Sequence, residues 1–558
     1  MKKIFAILLS LTLTLPMLLG IAPIGTASAQ SPDYNGRTLK ICNCEDYIDE
    51  ELLLEFEEEF NCKVEYSTFG TLENLYNDMI ITPGIYDLIC PSDYMIEKMA
   101  REGMLQKISD KLPSDGTYDT YVSPYIKKTF NNITWNDGKD SLSDYATCYM
   151  WGTLGLTYNP EYVEHEDMQS WASLWMSEYK NTSTIKDSIR DSYFMGIAYT
   201  KKAELDALAS DYASSNITLE EYQSELSRIF NDTSIETVNE VGVMLKKLKR
   251  NIYGFEVDSG KNDVASGKIN INFAWSGDAV YAMDEAEKVG VELYYSVPEE
   301  GSNVWFDGWC VPKASNNVDL AIEFIEFISR PEVVVRNMNY IGYTSGVGGQ
   351  EVFDGVCVDW YGACTLVETD AITYGEYVAL KKEDPDTASY YEADKNKKMY
   401  EYVYVLDMED GFVKGNDQDG YLANVSYIDD NGDLVTEETE LYLIDLGYFF
   451  GEGEWTVFVD TLGRQFSAQY PTEDIIARCV VMNCYDEEAN ERVVLMWESV
   501  KGFTFSDIAL ILLAVGVVLL IVAVILFKNR KKVFAKKDVS KKENSRRKKY
   551  KVLSIKEI

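Results

Sequence analysis

One histidine, His165, is all that the 558 residues contain, and no Cys-x-x-Cys pair accompanies it. The usual zinc donor sets cannot be assembled from that stock, so neither a metal nor a metal-dependent mechanism is expected. A histidine base has only one candidate, in a charged stretch, and no Gly-x-Ser-x-Gly or P-loop pattern appears. Carboxylates are so numerous that no glycosidase-like pair stands out among them. The chain is therefore not expected to be an enzyme, and no cofactor is implied. Positive charge is scarce too: 52 Lys and Arg stand against 92 Asp and Glu, for a net charge of −40. Such a balance repels nucleic acid and suits a cationic ligand. The ten cysteines are scattered, mostly inside apolar strand-like runs, where a free thiol behaves as a small hydrophobe. Cys357 with Cys364 and Cys479 with Cys484 are the candidates for bridges.

Two long apolar runs stand near the ends. Residues 1–29 place Lys2 and Lys3 before an apolar run and close on Ala27-Ser28-Ala29, the order of a secretory signal peptide cut after Ala29. Ile508 to Phe527 is uncharged and free of proline, which predicts a membrane helix over 507–527. The tail 528–558 carries a net +11 and is expected to stay cytoplasmic, leaving about 30–505 outside the cell. Taking leader and tail away from −40 leaves −53 on the part between them.

Within that part the stretch 38–105 repeats one pattern. An extended run (Thr38–Cys42), a polar-aromatic loop (Asn43–Tyr47) and a helical pattern (Leu52, Leu53, Phe56, Phe60) recur as Tyr86–Cys90, Pro91–Tyr94 and Ile96, Met99, Ala100. Strands alternating with single helices imply βαβ units and a parallel sheet, whose ligands bind beyond the strands' carboxyl ends. From Ala146 to Tyr158 a strand interrupted by Gly152 predicts a crossing between lobes with a bend or close backbone approach. Trp171 to Tyr179 reads as helix, Ser183–Ile185, Lys268–Trp275 and Val291–Val297 as strands, and 201–249 as surface helices. In Asn303–Pro312 a period of two puts Trp305, Asp307 and Trp309 on one face. Aromatics, acids and the Asp430-Asn431-Gly432 turn signal mark 351–465 as a β-rich insertion. Asp417, Asp419 and Gly420 lack the later glutamate of a calcium loop and are read as a turn.

Aromatic and acidic residues gather at element ends: Asp46, Tyr47, Ser92, Tyr94, Asp191, Trp275, Trp305, Asp307 and Tyr343. Singly, each has a bland role, such as core for Trp275 and Trp305 or a helix cap for Ser92. Together they suit an amine on a methylene chain. Each ammonium needs a carboxylate or a ring face, and the methylenes need flat apolar walls; a cation–π contact adds about 0.5–2 kcal/mol.

Read in order, several segments resemble the spermidine/putrescine-binding proteins of bacterial ABC transporters. The matching pieces are Asn43–Ile48, Tyr86–Tyr94, Glu102–Ile108, Trp151–Thr153, Ser170–Trp175, Ala274–Gly277, Trp305–Asp307 and Ile341–Tyr343. The resemblance implies a two-lobed α/β clamp of the periplasmic-binding-protein type II class. Lobe one would cover about 38–148 and 306–350, and lobe two about 152–300, with a helical return at 466–503. It implies an aromatic box of Tyr47, Tyr94, Trp275, Trp305 and Tyr343. The ammonium-binding acids would be Asp46, Asp191 (or Asp187, if the loop slides) and Asp307, with Ser92 a polar contact. Partners would be a polyamine and the permease and ATPase subunits, with the membrane reached through the C-terminal helix. Cys44 stands where the family usually has tryptophan, Glu45 adds an acid, and Ser188 replaces a carboxylate of some members. No cysteine follows the leader to carry a lipid. Two other readings stay open: the same clamp for another small cationic or amino-acid-like solute, and a surface protein that senses a ligand or binds a protein.

Overall fold

The computed structural model describes residues 31–358, most of 421–502 and a few isolated positions elsewhere. The leader 1–29, Cys364, the Asp417–Gly420 turn and nearly all of 508–527 lie outside the described residues. Among the described residues, no helix is long and apolar enough to cross a membrane.

Eight strands carry the architecture: β1 (Thr38–Cys44), β2 (Lys63–Phe69), β3 (Leu88–Ile89), β4 (Ala146–Tyr158), β5 (Ser183–Lys186), β6 (Gly254–Glu256), β7 (Ile271–Trp275) and β8 (Ser302–Cys310). They run in the order β2-β1-β3-β8-β4-β7-β5-β6. The three strands at one end are parallel to one another, as are the three at the other. Between them β8 and β4 run antiparallel to each other and to their outer neighbours. The thirteen-residue β4 is buried throughout, pairing with β8 through its first half and with β7 through its second. Each parallel set therefore ends its strands toward the middle of the molecule, where a crevice forms.

Helices cover the sheet for the reasons their patterns give. The helix Glu50–Phe60 is capped by Asp49, which accepts from the Glu51 N–H, and it buries Leu52, Leu53, Phe56 and Phe60. Phe56 meets Phe324 and Phe327 of the helix Val318–Ile328. Pro331 opens the helix Pro331–Ile341, where its missing N–H costs nothing. Of 201–249, expected on the surface, the last helix turns Val241, Leu245 and Leu248 fully inward against Ile189–Thr200.

One local expectation differs from what forms. Trp171 to Tyr179 makes only a 3-10 turn, Trp171–Trp175, because Trp171 is buried and its indole N–H is committed to the Gly301 carbonyl. Trp309 shares the face of Trp305 and Asp307, as the period of two implies, and Val304 and Phe306 pack on the other side. The β8–β4 register shifts between Asp307 and Gly308, leaving Tyr149 as an extra residue on β4. Further along that face Trp309 packs against Tyr149 and Phe324. The described part of 351–465 holds a three-stranded sheet of Tyr421–Ile428, Leu434–Asp445 and Thr456–Val459.

Gly152 shows why β4 is interrupted. A Cβ there would stand 2.3 Å from Ser276 Oγ and 2.8 Å from the Trp305 ring. Gly152→Ala should therefore lower stability by about 1–3 kcal/mol in urea unfolding and shift the tryptophan emission. An unchanged midpoint would mean that this contact is looser than described.

Candidate functional site

The crevice is a cavity of about 370 Å³, lined from both halves of the sheet. Its walls come mainly from residues just past the parallel strands. Beyond β1 come Cys44, Glu45, Asp46 and Tyr47, beyond β2 Gly70 to Glu73, and beyond β3 Ser92, Asp93 and Tyr94. From the other half come Asp187, Ser188 and Asp191 after β5, Val257, Asp258 and Lys261 after β6, and Trp275 and Asp278 at β7. The crossing strand β8 adds Asn303, Trp305 and Asp307. All nine residues singled out above line this one cavity, and so does Asp187. Asp187 is paired with Lys501, whereas Asp191 is buried.

Asp307 is the centre of the arrangement. Tyr47 Oη donates to its Oδ2 at 2.8 Å. Tyr47 is itself held by its carbonyl, which accepts from Tyr149 Oη at 2.7 Å, and Tyr149 Oη accepts from Asn337 Nδ2 at 2.8 Å. Tyr343 meets Tyr47 edge-on at 4.9 Å and Trp305 at 5.7 Å. It also donates to Asp278 Oδ1 at 2.9 Å. Its ring lies on Gly277, where any Cβ would fall 2.2 Å from it. Ser92 heads the helix Asp93–Arg101 without capping it; its hydroxyl serves the Asp307 carboxylate instead. Asp46 takes a left-handed φ of 53°, which Asp tolerates better than most residues and which turns the chain at the crevice mouth.

Burial pushes Asp307 up to about 6, against the Ser92 and Tyr47 hydrogen bonds that favour its charge; the neighbouring Asp191 raises it further. Asp191 is also raised by burial, opposed by Ser188, Lys186 and Arg190. Asp93 is pushed up to about 8 by burial, although it accepts from the Tyr94 and Phe306 N–H groups. Among the described residues, neither Asp307 nor Asp191 has an ion-pair partner within 4 Å. Asp278 differs. Burial would raise it too, but Lys186 and Lys261 hold it below its ordinary value.

Several lining or supporting residues escaped the sequence reading. Arg190 stacks on Tyr94 at 4.1 Å and on Tyr485 at 3.7 Å, and donates to the Asn483 carbonyl. Met482 and Trp497 reach the cavity from beyond the 351–465 stretch. Asp258 and Lys261 follow β6, a three-residue strand with little pattern of its own. Asp278 had a visible signal, since it follows Trp275 by three residues at a strand's carboxyl end. No cluster among the described residues is arranged to hold a metal ion. Cys479 and Cys484 are both free.

Residues 51–347 match the family of bacterial extracellular solute-binding proteins. The chain belongs to that family. It is 30% identical to the spermidine/putrescine-binding periplasmic protein of Escherichia coli strain K12 over 326 residues, 58% of this chain and 81% of the relative. The protein of that name from Salmonella typhimurium is 28% identical over the same shares. Among solved structures, the spermidine/putrescine ABC transporter substrate-binding protein PotD from Streptococcus pneumoniae is 30% identical, with a TM-score of 0.42 over 56% of this chain and 83% of that one. As a member of this family the chain is a solute-binding protein rather than an enzyme.

The buried carboxylate gives a pH signature. A raised folded pKa means that the folded state holds the Asp307 proton more tightly than the unfolded chain does. The contribution of Asp307 to stability is then most favourable at low pH, falls as pH rises from about 4 to about 6, and stays lower above that. The cost is about 3 kcal/mol at full ionisation. Asp307→Asn should remove the Asp307 share of this slope, leaving that of Asp191 and Asp93, and raise the ligand-free melting temperature at pH 7.5, but not at pH 4, in calorimetric scans. Equal gains at both pH values would show that Asp307 is not the titrating group.

Proposed function

We propose that this protein captures a polyamine outside the cytoplasm and delivers it to an ABC permease. The observation that carries the reading is the convergence of Asp191 and Asp307, both buried and without an ion-pair partner among the described residues, with Tyr47, Tyr94, Trp275, Trp305 and Tyr343 around one cavity. The ammonium groups of a polyamine entering there would relieve these desolvated carboxylates, while the rings wall in its methylene chain. The relatives named above, as spermidine/putrescine-binding proteins, support the same ligand class. Closure of the two halves would be a population shift, driven by contacts that the ligand makes only in the closed form.

Trp275→Ala or Asp307→Ala should weaken spermidine or putrescine binding at least tenfold in titration calorimetry on the full-length protein. Affinity should also fall by roughly tenfold per pH unit below about 6, because the cation binds the ionised Asp307 and must displace its proton. Undiminished affinity in both variants would sink the site. A thermal-shift panel that also holds amino acids and other amines covers the rival solutes, since only a ligand of the folded cleft raises the melting temperature.

The reading extends to a membrane anchor at 507–527 with the basic tail inside, which keeps the binding domain close to its permease. The protein should then stay in the membrane pellet after alkaline carbonate washing. Release into the supernatant would remove the anchor.

A further inference from the structure

Lys186 ends β5 with its side chain fully buried, and the ligand chemistry above does not use it. Its ammonium stands 2.9 Å from Asp278 Oδ2 and 3.2 Å from Glu256 Oε1, and donates to the Val257 carbonyl at 2.7 Å. It also lies 4.1 Å from the centroid of the Trp275 ring. Two carboxylates, a carbonyl and an indole face are the contacts that an alkylammonium ligand would seek, and here the chain supplies the ammonium itself. Trp275 and Asp278 line the cavity but Lys186 does not, so its charge sits behind the wall. Lys261, on the wall, is 3.6 Å from Asp278 Oδ1. Within ion-pair distance, then, two lysines face two acids and cancel them, and Asp258, also on the wall, is drawn to the same two lysines. Asp278 therefore borders the cavity without adding net negative charge to it, and one face of Trp275 already carries a cation.

We propose that Lys186 is a specificity-determining residue: a tethered ammonium that cancels the inner acids and sets how many ligand charges the cleft favours, biasing it toward diamines over triamines. The inference rests on the polyamine reading above. Putrescine and spermidine differ by one positive charge, so the potential at the Trp275 end discriminates between them where shape alone discriminates weakly. Lys186 acts through Trp275 and Asp278, and is thus a positioning and charge-setting group, not a ligand contact.

The test is titration calorimetry of putrescine and spermidine on the full-length wild type, Lys186→Met, Lys186→Arg and Asp278→Asn. Removing the internal cation adds one net negative charge beside the cavity, so Lys186→Met should raise the spermidine-to-putrescine affinity ratio roughly five- to tenfold. Lys186→Arg keeps the charge and should keep the ratio. Asp278→Asn moves the balance the other way and should lower it. A purely structural role would weaken both amines alike and leave the ratio fixed in all three variants, which would overturn the proposal; so would a shift in Lys186→Arg as large as in Lys186→Met. If Lys186→Met fails to fold, Asp278→Asn decides alone, a lowered ratio supporting the proposal and an unchanged one overturning it. A wild type that binds neither amine instead refutes the polyamine reading, an outcome distinct from binding with an immovable ratio.

Discussion

A carboxylate taken out of water without a cation beside it is the constraint on which this site depends. Asp307 is buried, its ion-pairing capacity is unused among the described residues, and its protection consists of hydroxyl hydrogen bonds. Such a group is costly unless something positive arrives, because hydrogen bonds replace only part of the lost hydration. The surrounding rings deepen the desolvation and offer faces that attract a cation. The ligand-free protein thus carries an electrostatic deficit that a protonated amine removes. A neutral solute of the same shape would gain the apolar contacts and leave that deficit in place.

The fold makes this placement affordable by locating it where strands end. Two parallel sets of strands point their carboxyl ends at one crevice, and β4 and β8 pass between the halves and hold them in one sheet. Asp307 and Trp305 lie on β8 itself, so the central acid is set by a buried strand, while the acids around it come from the loops after the strands and from the first turns of the helices that follow, as with Asp93, Asp191 and Asp278. The segment after the 351–465 stretch also contributes, through Met482, Trp497 and the Tyr485 ring stacked on Arg190. Chain leaves the core at Phe353 and returns to the same place, where Phe353 meets Phe450 and Trp455. With its two ends fixed side by side, a long insertion costs little more than a short one, since closure entropy grows only slowly with loop length.

Much of this was legible from residue patterns. The repeat over 38–105 identified the strand-loop-helix units, and the rule that ligands lie beyond strand ends brought together nine residues that the coordinates do place around one cavity. Period-two counting over 303–312 also held, with Trp305 and Trp309 facing one cluster and Val304 and Phe306 the other. Local pattern failed where long-range packing decided, as at Trp171, whose indole N–H is committed to the carbonyl of Gly301, 130 residues away. Lys186 was invisible as a functional group for a related reason. Its partners Glu256 and Asp278 lie 70 and 92 residues away, and only the parallel pairing of β5 with β6 and β7 brings them within 3.2 Å.

A buried lysine behind an aromatic wall is an unusual way to line a cleft meant for cations, and energetics explain it better than packing does. Left alone, Asp278 and Glu256 would be two more desolvated acids beside Asp191 and Asp307. Burial already raises Asp191 and Glu256 despite the lysine's charge, and it is Lys186 with Lys261 that holds Asp278 below its ordinary value. The lysine lets Asp278 stay ionised and accept from Tyr343, which fixes the ring that abuts both Tyr47 and Trp305. One internal cation thus performs two tasks: it keeps the box rigid through an ionised Asp278, and it withdraws that acid from the charge presented to the ligand. Asp191 and Asp307 are left as buried acids of the cleft with no ion-pair partner among the described residues, and their unmet charge is what a cationic ligand answers.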